Sequence, residues 1–202
     1  MSVYTTLNKI RKCKPCTNGW EKLLISLNKT QPDDEPLALT YILDSNGLND
    51  AIWCLRALPD KHRDKIVLFT ADVAERVLPI YEKQHPNDFR PRHAIQAARD
   101  FIDEKIDKKT LDAAVSGAWA AWAAAADVFA AAPRDAAPRD AARNAARAVL
   151  AVFAADVQAP RDAARDARNA ARAVDDELDL LLFNAEKQAQ VELFHKHFGE
   201  QS

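Results

Sequence analysis

Two cysteines near the N-terminus have the spacing of half a zinc site or of a redox pair. Cys13-Lys-Pro-Cys16 places two thiols three residues apart, and Cys54 is the third cysteine of the 202-residue chain. A zinc site needs two further ligands, and the sequence holds no second CxxC or HxxxH pair. A thioredoxin-like motif follows a strand, whereas this one lies in a basic segment. Coincidence or simple packing is the favoured interpretation, and metal binding and redox chemistry are the alternatives.

A pair of carboxylates could perform acid–base chemistry. Asp72 and Glu75 are three residues apart, so a helix would place them on one face together with Arg76. A surface ion pair between aspartate and arginine is the more common role for such a pattern. His195 and His197 are two residues apart and face opposite sides of a helix, which makes a poor metal clamp. We expect these histidines to lie near the C-terminal end of a helix.

Familiar catalytic motifs are absent from the sequence. It contains no GxSxG, no HExxH, no EF-hand loop and no glycine-rich phosphate loop. Only four glycines occur in the chain, which leaves little material for a phosphate cradle. We therefore expect a protein that is not an enzyme and that needs no cofactor and no metal.

Arginines recur at helical spacing in the C-terminal part of the chain. Steps of three and four residues place these arginines along helix faces: Arg139, Arg143, Arg147, Arg161, Arg165, Arg168 and Arg172. Aspartates are interleaved with them: Asp135, Asp140, Asp162 and Asp166. The arginines could form a solvated face with salt bridges between helices, a surface that binds an acidic protein, or a nucleic-acid site. No aromatic residue lies among them to stack on bases, so nucleic acid is disfavoured. The seven arginines are the candidate partner-binding residues.

A second candidate site is a pocket between helices of the N-terminal half. Its polar lining would suit a small-molecule or nucleic-acid binder and consists of Asn49, Asp50, Arg56, Asp72, Glu75, Asn87, Asp88, Arg90 and Arg92. A binder of this class should show a ligand-dependent shift in melting temperature, whereas a protein inhibitor should purify with one partner.

The sequence pattern predicts that helices position all of these residues. Apolar residues recur three and four apart, and glycine is scarce, which predicts an all-α fold without a sheet. A helix is predicted from Thr17, and Pro36 suits the first turn of another that ends at Gly47. Asn49 is predicted to cap the following helix and Pro91 to open a later one. The architecture should be a helical bundle or stacked helical hairpins.

An alanine-rich tract dominates the second half of the chain. Between Leu111 and Val174, 29 of 64 residues are alanine, and APRDAARNAARAV recurs there with a three-residue insertion. Alanine favours helix and lets helix axes approach closely. We expect three antiparallel helices with prolines at the corners, the longest from Pro160 to about Phe198.

Within these helices, apolar residues at steps of three and four define core stripes. The first stripe runs through Val115, Trp119, Trp122, Ala126 and Phe129, the second through Ala142, Ala146, Val149 and Phe153, and the third through Ala164, Ala167, Ala171, Val174, Leu178, Leu181 and Ala185. Trp53 and Trp122 are predicted core anchors.

Net charge and hydropathy indicate which classes of partner are disfavoured. The net charge is −2, with +2 on residues 1–110 and −4 on residues 111–202, so neither half is a polycation. No apolar run is long enough to span a bilayer, and the N-terminus shows no secretory signal. We expect a cytoplasmic protein that binds no membrane. Its domains are predicted as 1–110 and 111–202, packed as one unit.

The N-terminal half resembles a known family. The blocks GWEKLLISLNKT, DDEPLALTYILDSNGLNDAIWCLRAL and LFTADVAERVLPIYEKQHPNDFRPRHAIQAARDF resemble the putative immunity proteins of bacterial polymorphic-toxin systems. The LDSNGLNDAIWCLR and PNDFRPRHAI stretches are the most distinctive, and the tail is similar in its alanine-rich composition. The resemblance runs from about Cys16 to Phe101.

The resemblance implies an all-α, non-catalytic, cytosolic protein that sequesters another protein. The first function expected is therefore a toxin-neutralising immunity protein that binds and occludes a cognate toxin. One alternative is an anti-defence inhibitor of a phage or mobile element, similar to an anti-CRISPR, that occludes a bacterial defence complex. The small-molecule or nucleic-acid binder is the second alternative.

Overall fold

The fold is built almost entirely from helices. The computed structural model describes residues 2–130, 137–152, 159–172 and 179–199. Its α-helices are α1 (Leu7–Lys12), α2 (Thr17–Ser26), α3 (Leu39–Asn46), α4 (Leu48–Cys54), α5 (Arg63–Gln84), α6 (Arg90–Ile102), α7 (Lys108–Ala130), α8 (Ala137–Ala151), α9 (Ala159–Arg172) and α10 (Asp179–Phe198). Two short 3₁₀ helices span Leu55–Ala57 and Asp60–His62. The predicted all-α class is confirmed.

One small sheet corrects the expectation that strands are absent. Strand β1 (Tyr4–Thr5) pairs antiparallel with β2 (Leu37–Ala38). Pro36 was expected in the first turn of a helix, but the residues after it are extended and α3 begins only at Leu39. The Leu39 backbone N–H donates to the Val3 carbonyl at 3.1 Å. The extended backbone is thus satisfied by partners distant in sequence, which outweighs the local preference for helix.

Glycine marks the end of α3 as predicted. Gly47 has φ of 93°, a conformation that residues with a side chain rarely adopt, and its N–H donates to Leu43 O at 2.9 Å. The same glycine stands at the N-cap of α4, which begins at Leu48. The prediction that Asn49 caps this helix is therefore wrong, because Asn49 already lies inside its first turn.

Prolines open several helices. Pro91 lies in the first turn of α6, as predicted. Pro138 and Pro160 are the second residues of α8 and α9, where a missing amide proton costs no helical hydrogen bond. Pro133 lies outside the described residues. The helix expected from Pro160 to Phe198 corresponds to α9 and α10, and residues 173–178 between them lie outside the description.

The alanine helices bury alanine more completely than tryptophan. In α7 the inward residues are Ala118 and Ala121, at 2% and 0% exposure, whereas Trp119 is 52% exposed. Trp119 was expected on the core stripe, and its exposure corrects that expectation. The small alanines allow close helix packing, which turns the bulky indole outward.

Other members of the predicted stripes divide between core and surface. Ala146, Val149, Ala164 and Ala167 are buried as expected. Leu181, at 64% exposure, and Ala185 are exposed, which corrects the end of the third stripe. The predicted anchors Trp53 and Trp122 are half-buried. The side chains that complete the stripes lie outside the description: Ala126, Phe129, Ala142, Phe153, Ala171, Val174 and Leu178.

The chain divides into two compact units. One contains Met1–Ile66 with Val191–Ser202, and the other contains Val67–Gln190. The first unit has a core of aliphatic residues from α1 and α3 and includes a Val3 N–H to Phe198 O bond of 3.1 Å. In the second, α6 packs on α7, α7 on α8, and α8 on α9. The division at residue 110 stays a prediction. In the described part of the chain, no helix is long and apolar enough to cross a membrane.

Candidate functional site

The connection between α5 and α6 forms a corner with a defined hydrogen-bonded frame. Helix α5 ends at Gln84 and α6 begins at Arg90. Tyr81, in the last turns of α5, is 1% exposed, and its hydroxyl donates to Oδ2 of Asp88 at 2.7 Å. The Asp88 N–H donates to His85 O at 3.0 Å, which closes the turn. The corner is thereby attached to the buried part of α5.

Asp88 also holds the first arginine of α6. Arg90 Nε donates to Asp88 Oδ1 at 2.8 Å, and Arg90 Nη2 donates to Asp88 Oδ2 at 2.7 Å. Hydrogen bonds from Arg90, joined by the one from Tyr81, lower the pKa of Asp88 to about 2. The carboxylate is therefore ionised at neutral pH and fixes a guanidinium whose side chain is 43% exposed.

A cavity of about 630 Å³ opens at this corner. Seven residues line it: His85, Pro86, Asn87, Asp88, Phe89, Arg90 and His93. Most of them are exposed, and Phe89 is the large apolar one at 51% exposure. The Phe89 and His93 rings lie 6.4 Å apart between centroids. The cavity is thus an open depression that offers an aromatic ring, a fixed cation and two imidazoles.

Helix α7 supports the corner from behind. A Cβ built on Gly117 would lie 3.9 Å from Cβ and Cγ of Arg90, so α7 passes beside the Arg90 side chain at that point. The Tyr81 hydroxyl also lies 3.5 Å from the carbonyl oxygen of Ala121. The buried end of the Tyr81–Asp88–Arg90 series therefore rests on α7.

The candidate acid–base residues Asp72 and Glu75 form ion pairs that join α5 to α6. Arg99 Nη2 lies 2.7 Å from Asp72 Oδ1 and 2.6 Å from Glu75 Oε2. Hydrogen bonding to Arg99 lowers the pKa of Glu75, which disfavours proton donation by this group at neutral pH. Arg76 does not complete the expected surface pair, because its Nε binds Glu186 Oε2 at 3.0 Å.

The nine residues of the predicted pocket are distributed over several places. Asn87, Asp88 and Arg90 meet in the corner cavity. Arg92 forms a bidentate pair with Glu82 at 2.7 Å, and Asp72 and Glu75 bind Arg99.

The other three pocket residues belong to the first compact unit. Asp50 accepts from Asn46 at 3.0 Å, and the Arg56 guanidinium lies 4.2 Å from the Trp53 ring centroid. Asn49 is exposed in α4. The structure thus brings three of the nine residues into the cavity.

Salt bridges hold two arginines of the predicted partner-binding set, the arginine stripe: Arg147 and Arg165. Arg165 Nη1 lies 2.9 Å from Asp162 Oδ1, and Arg165 Nε lies 3.1 Å from Asp166 Oδ1. Arg147 of α8 reaches Asp166 of α9 at 3.6 Å. These pairs agree with the interpretation in which aspartates balance the arginines between helices. Arg161 is exposed.

Arg168 departs from the exposed stripe. It is 8% exposed, and its Nη1 donates to Gln190 Oε1 at 2.6 Å. Gln190 Nε2 in turn donates to Glu186 Oε1 at 3.0 Å and to the Ala164 carbonyl at 3.1 Å. Arg168 was predicted with the other arginines as a partner-binding residue, but it is buried here because α10 covers it with polar partners. The side chains of Arg139, Arg143 and Arg172 lie outside the described residues.

The cysteines and the histidines of α10 were candidate metal or redox residues. All three cysteines are free, and burial raises the pKa of the Cys54 thiol to about 12. The Cys13 thiol donates to Arg56 O at 3.7 Å, and Cys16 is exposed. Among the described residues, no three histidine, cysteine or acidic side chains cluster as a metal site. His195 and His197 lie in the last turn of α10, as predicted.

Sequence reasoning missed four residues of the corner. Tyr81 and Phe89 are apolar enough to be assigned to helix packing or to a loop, and His85 and His93 show no ligand spacing. The signal that could have indicated them is the aromatic Phe89 immediately before the Arg90-Pro91 helix start. Aromatic and arginine side chains together at an exposed helix start are typical of interface anchors.

Comparison with known proteins gives one match. No curated protein and no solved structure matches the chain. The matching family model covers α5, the corner, α6 and α7 as far as Asp127, so it includes PNDFRPRHAI and leaves most of LDSNGLNDAIWCLR outside. The predicted resemblance to immunity proteins is thereby confirmed for this segment. Residues 56–127 of this chain match the Imm-5 like putative immunity protein family.

Proposed function

We propose that the protein is a non-catalytic inhibitor that binds and occludes a partner protein, as an immunity protein neutralises a toxin in the cytoplasm. The observation that carries the proposal is the family match over residues 56–127, since that segment contains the helices that build the α5–α6 corner. We propose the corner as the docking surface, with Phe89 and Arg90 as its anchors.

The exposed lining of the cavity favours a macromolecular partner. Small-molecule sites usually bury most of the ligand surface in a concave pocket. Here Pro86, Asn87, Phe89, Arg90 and His93 are all exposed, so a small ligand would keep much of its surface in water. A protruding side chain of a partner protein would cover these residues and would be enclosed by the surrounding interface.

Pre-organisation of Arg90 supports its assignment as an anchor. Binding is weakened by the entropy lost when mobile side chains become ordered. The two hydrogen bonds from Arg90 to Asp88 order the guanidinium before any partner arrives, and Tyr81 orders Asp88. Aromatic residues, phenylalanine among them, and arginine are also enriched in protein–protein interfaces. Phe89 and Arg90 supply both types side by side.

Co-expression with a toxin tests the proposed function. A toxin gene found beside the gene of this protein should arrest growth when it is expressed alone, and co-expression of this protein should restore growth. The two purified proteins should form a stoichiometric complex in size-exclusion chromatography with light scattering. Growth that stays arrested, together with the absence of a complex, would contradict the proposal.

A pocket binder would behave differently in a second measurement. The melting temperature of the purified protein should rise when the toxin is added and should not change with a panel of nucleotides and metabolites. Only a ligand that binds the folded state raises the melting temperature. A large shift with one small molecule would indicate the small-molecule function instead.

A further inference from the structure

Helix α1 carries three basic residues, Lys9, Arg11 and Lys12, while Asp34 binds Thr6 and Asn8 at its N-terminal end. The first acidic residue of the chain is Glu21, so the basic residues before it have no acidic neighbour in sequence. Lys9 and Lys12 are both exposed, and their spacing of three residues places them on one face of α1.

The fold brings a second basic segment to the same place. Helix α1 packs against the 3₁₀ helix Leu55–Ala57, and the Cys13 thiol donates to the Arg56 carbonyl at 3.7 Å. The next 3₁₀ helix, Asp60–His62, follows directly and leads into α5. Residues that lie some fifty positions apart in the sequence therefore form one surface of the first compact unit.

Lysines converge on His62 in this surface. Burial lowers the pKa of His62, and the charges of Lys61, Lys65 and Lys9 lower it further. Lys61 lies in the second 3₁₀ helix and Lys65 in the first turn of α5, so both flank His62 in the segment that directly follows the packing of α1 on Leu55–Ala57. We define the basic face as Lys9, Lys12, Lys61 and Lys65.

The cations of the basic face lack the partners that other cations have. Arg92, Arg99 and Arg165 each bind a carboxylate within 3 Å. In the described part of the chain, none of the four lysines forms an ion pair, although Asp60 and Asp64 lie in the same segment. Like charges held together raise the free energy of the folded state, so an external anion would relieve the repulsion.

We propose that the basic face docks an acidic surface of the partner protein. Exposed lysines act as hydrated point charges, which suits long-range attraction to clustered carboxylates more than a shaped pocket. The inference rests on the proposed function in one respect, namely that the partner is a protein.

The aromatic residues near this face favour a protein over nucleic acid. Proteins that bind single strands stack bases on free aromatic rings. The Trp20 ring is approached by the Arg11 guanidinium at 5.9 Å, and the Trp53 ring is covered by Arg56 at 4.2 Å. An intramolecular cation thus lies over one face of the Trp53 indole, and a second cation lies near the Trp20 ring.

Binding of two anionic probes to the full chain tests the inference. Fluorescence anisotropy would compare a labelled poly-L-glutamate peptide with an oligothymidylate of equal charge at low and at physiological salt. The K9E/K61E variant reverses two charges of the basic face, and K109E/K187E makes the same change at exposed lysines of the second compact unit. Melting temperatures would confirm that both variants fold, and K9E/K61E should be at least as stable as the parent.

The inference predicts salt-sensitive poly-L-glutamate binding that K9E/K61E weakens roughly tenfold or more and that K109E/K187E leaves nearly unchanged. Oligothymidylate bound as tightly as poly-L-glutamate would overturn it in favour of nucleic acid. Absence of binding, or equal losses in both variants, would also overturn it. These outcomes leave the growth test of the proposed function untouched, so the two can fail separately.

Discussion

The buried hydroxyl of Tyr81 and the carboxylate of Asp88 are joined by a 2.7 Å hydrogen bond. Asp88 in turn accepts two hydrogen bonds from Arg90, whose guanidinium reaches the surface of the corner. Three side chains therefore link the interior of the second compact unit to the proposed docking surface. A substitution at Tyr81 should therefore also affect the position of the Arg90 guanidinium.

Tyr81→Phe removes the hydroxyl while it keeps the buried ring. We expect the free energy of unfolding to fall by about 1–2 kcal/mol, because a hydrogen bond to a charged acceptor is lost. Urea denaturation measures the loss. The matched control is Tyr41→Phe, which removes an exposed hydrogen bond to Ser26 O and should cost about 0.5 kcal/mol. Equal losses in the two variants would argue against the anchoring role of Tyr81.

The Asp88 carboxylate should make stability depend on pH in the acidic range. Its pKa is lowered from 3.8 to about 2, so the folded state favours the ionised form. The stabilisation is present above the unfolded pKa and is lost as pH falls through the folded pKa. The shift in pKa corresponds to about 2 kcal/mol of stability. Solvent screens this contribution little, because the Asp88 side chain is only 17% exposed.

Asp88→Asn isolates this effect. The difference in unfolding free energy between the parent and the variant should be largest above about pH 4 and should shrink toward about pH 2. Urea denaturation across that range measures it. A difference that stays constant over the same range would show that Asp88 does not titrate with a lowered pKa.

Gly47→Val should destabilise the protein by about 1–2 kcal/mol, because a side chain at φ of 93° is strained even where space is open. Gly117→Ala is the matched control in a helix, where the added Cβ would have ordinary contacts at 3.9 Å and should stabilise by about 0.5–1 kcal/mol. Thermal unfolding compares the two. An unchanged melting temperature for Gly47→Val would show that the end of α3 is wrongly placed.

Arg168→Ala should be far more damaging than Arg165→Ala. Removal of Arg168 leaves the buried Gln190 carbonyl without its 2.6 Å donor, which should cost about 2–4 kcal/mol. Arg165 is 49% exposed, so its salt bridges should be worth less than about 1 kcal/mol. Chemical denaturation of both variants checks the contrast. Similar losses would indicate that Arg168 is as exposed as the rest of the stripe.

Local signals allowed correct predictions at Gly47 and Pro91, where the residue itself constrains the backbone, although the same kind of signal at Pro36 was overridden by strand pairing. The end of α3 at Gly47 and the start of α6 near Pro91 follow from the conformations that glycine and proline allow. Pro138 and Pro160, which were predicted at corners between helices, are the second residues of α8 and α9. Such signals act within a few residues and do not depend on what the helix packs against.

The faces of the alanine helices could not be predicted in the same way. Alanine occurs on every side of α7, so periodicity does not distinguish a buried face of that helix from an exposed one, whereas the alanines of α9 lie on one side. Trp119 is turned outward because the smaller alanines of α7 pack against the neighbouring helices, whereas Arg168 is turned inward because Gln190 of α10 supplies a buried polar partner. The corner cavity likewise arises only when α5 and α6 fold back, which brings Tyr81 to Asp88.

The affinity of the corner variants for the cognate toxin tests the central claim most directly. Phe89→Ala and Phe101→Ala remove the same ring from two exposed positions, at the corner and at the far end of α6. Isothermal titration calorimetry should show that Phe89→Ala weakens binding about thirtyfold or more, whereas Phe101→Ala changes it by about twofold or less. Normal binding by Phe89→Ala, combined with loss of binding by Arg165→Glu on the arginine stripe, would contradict the account.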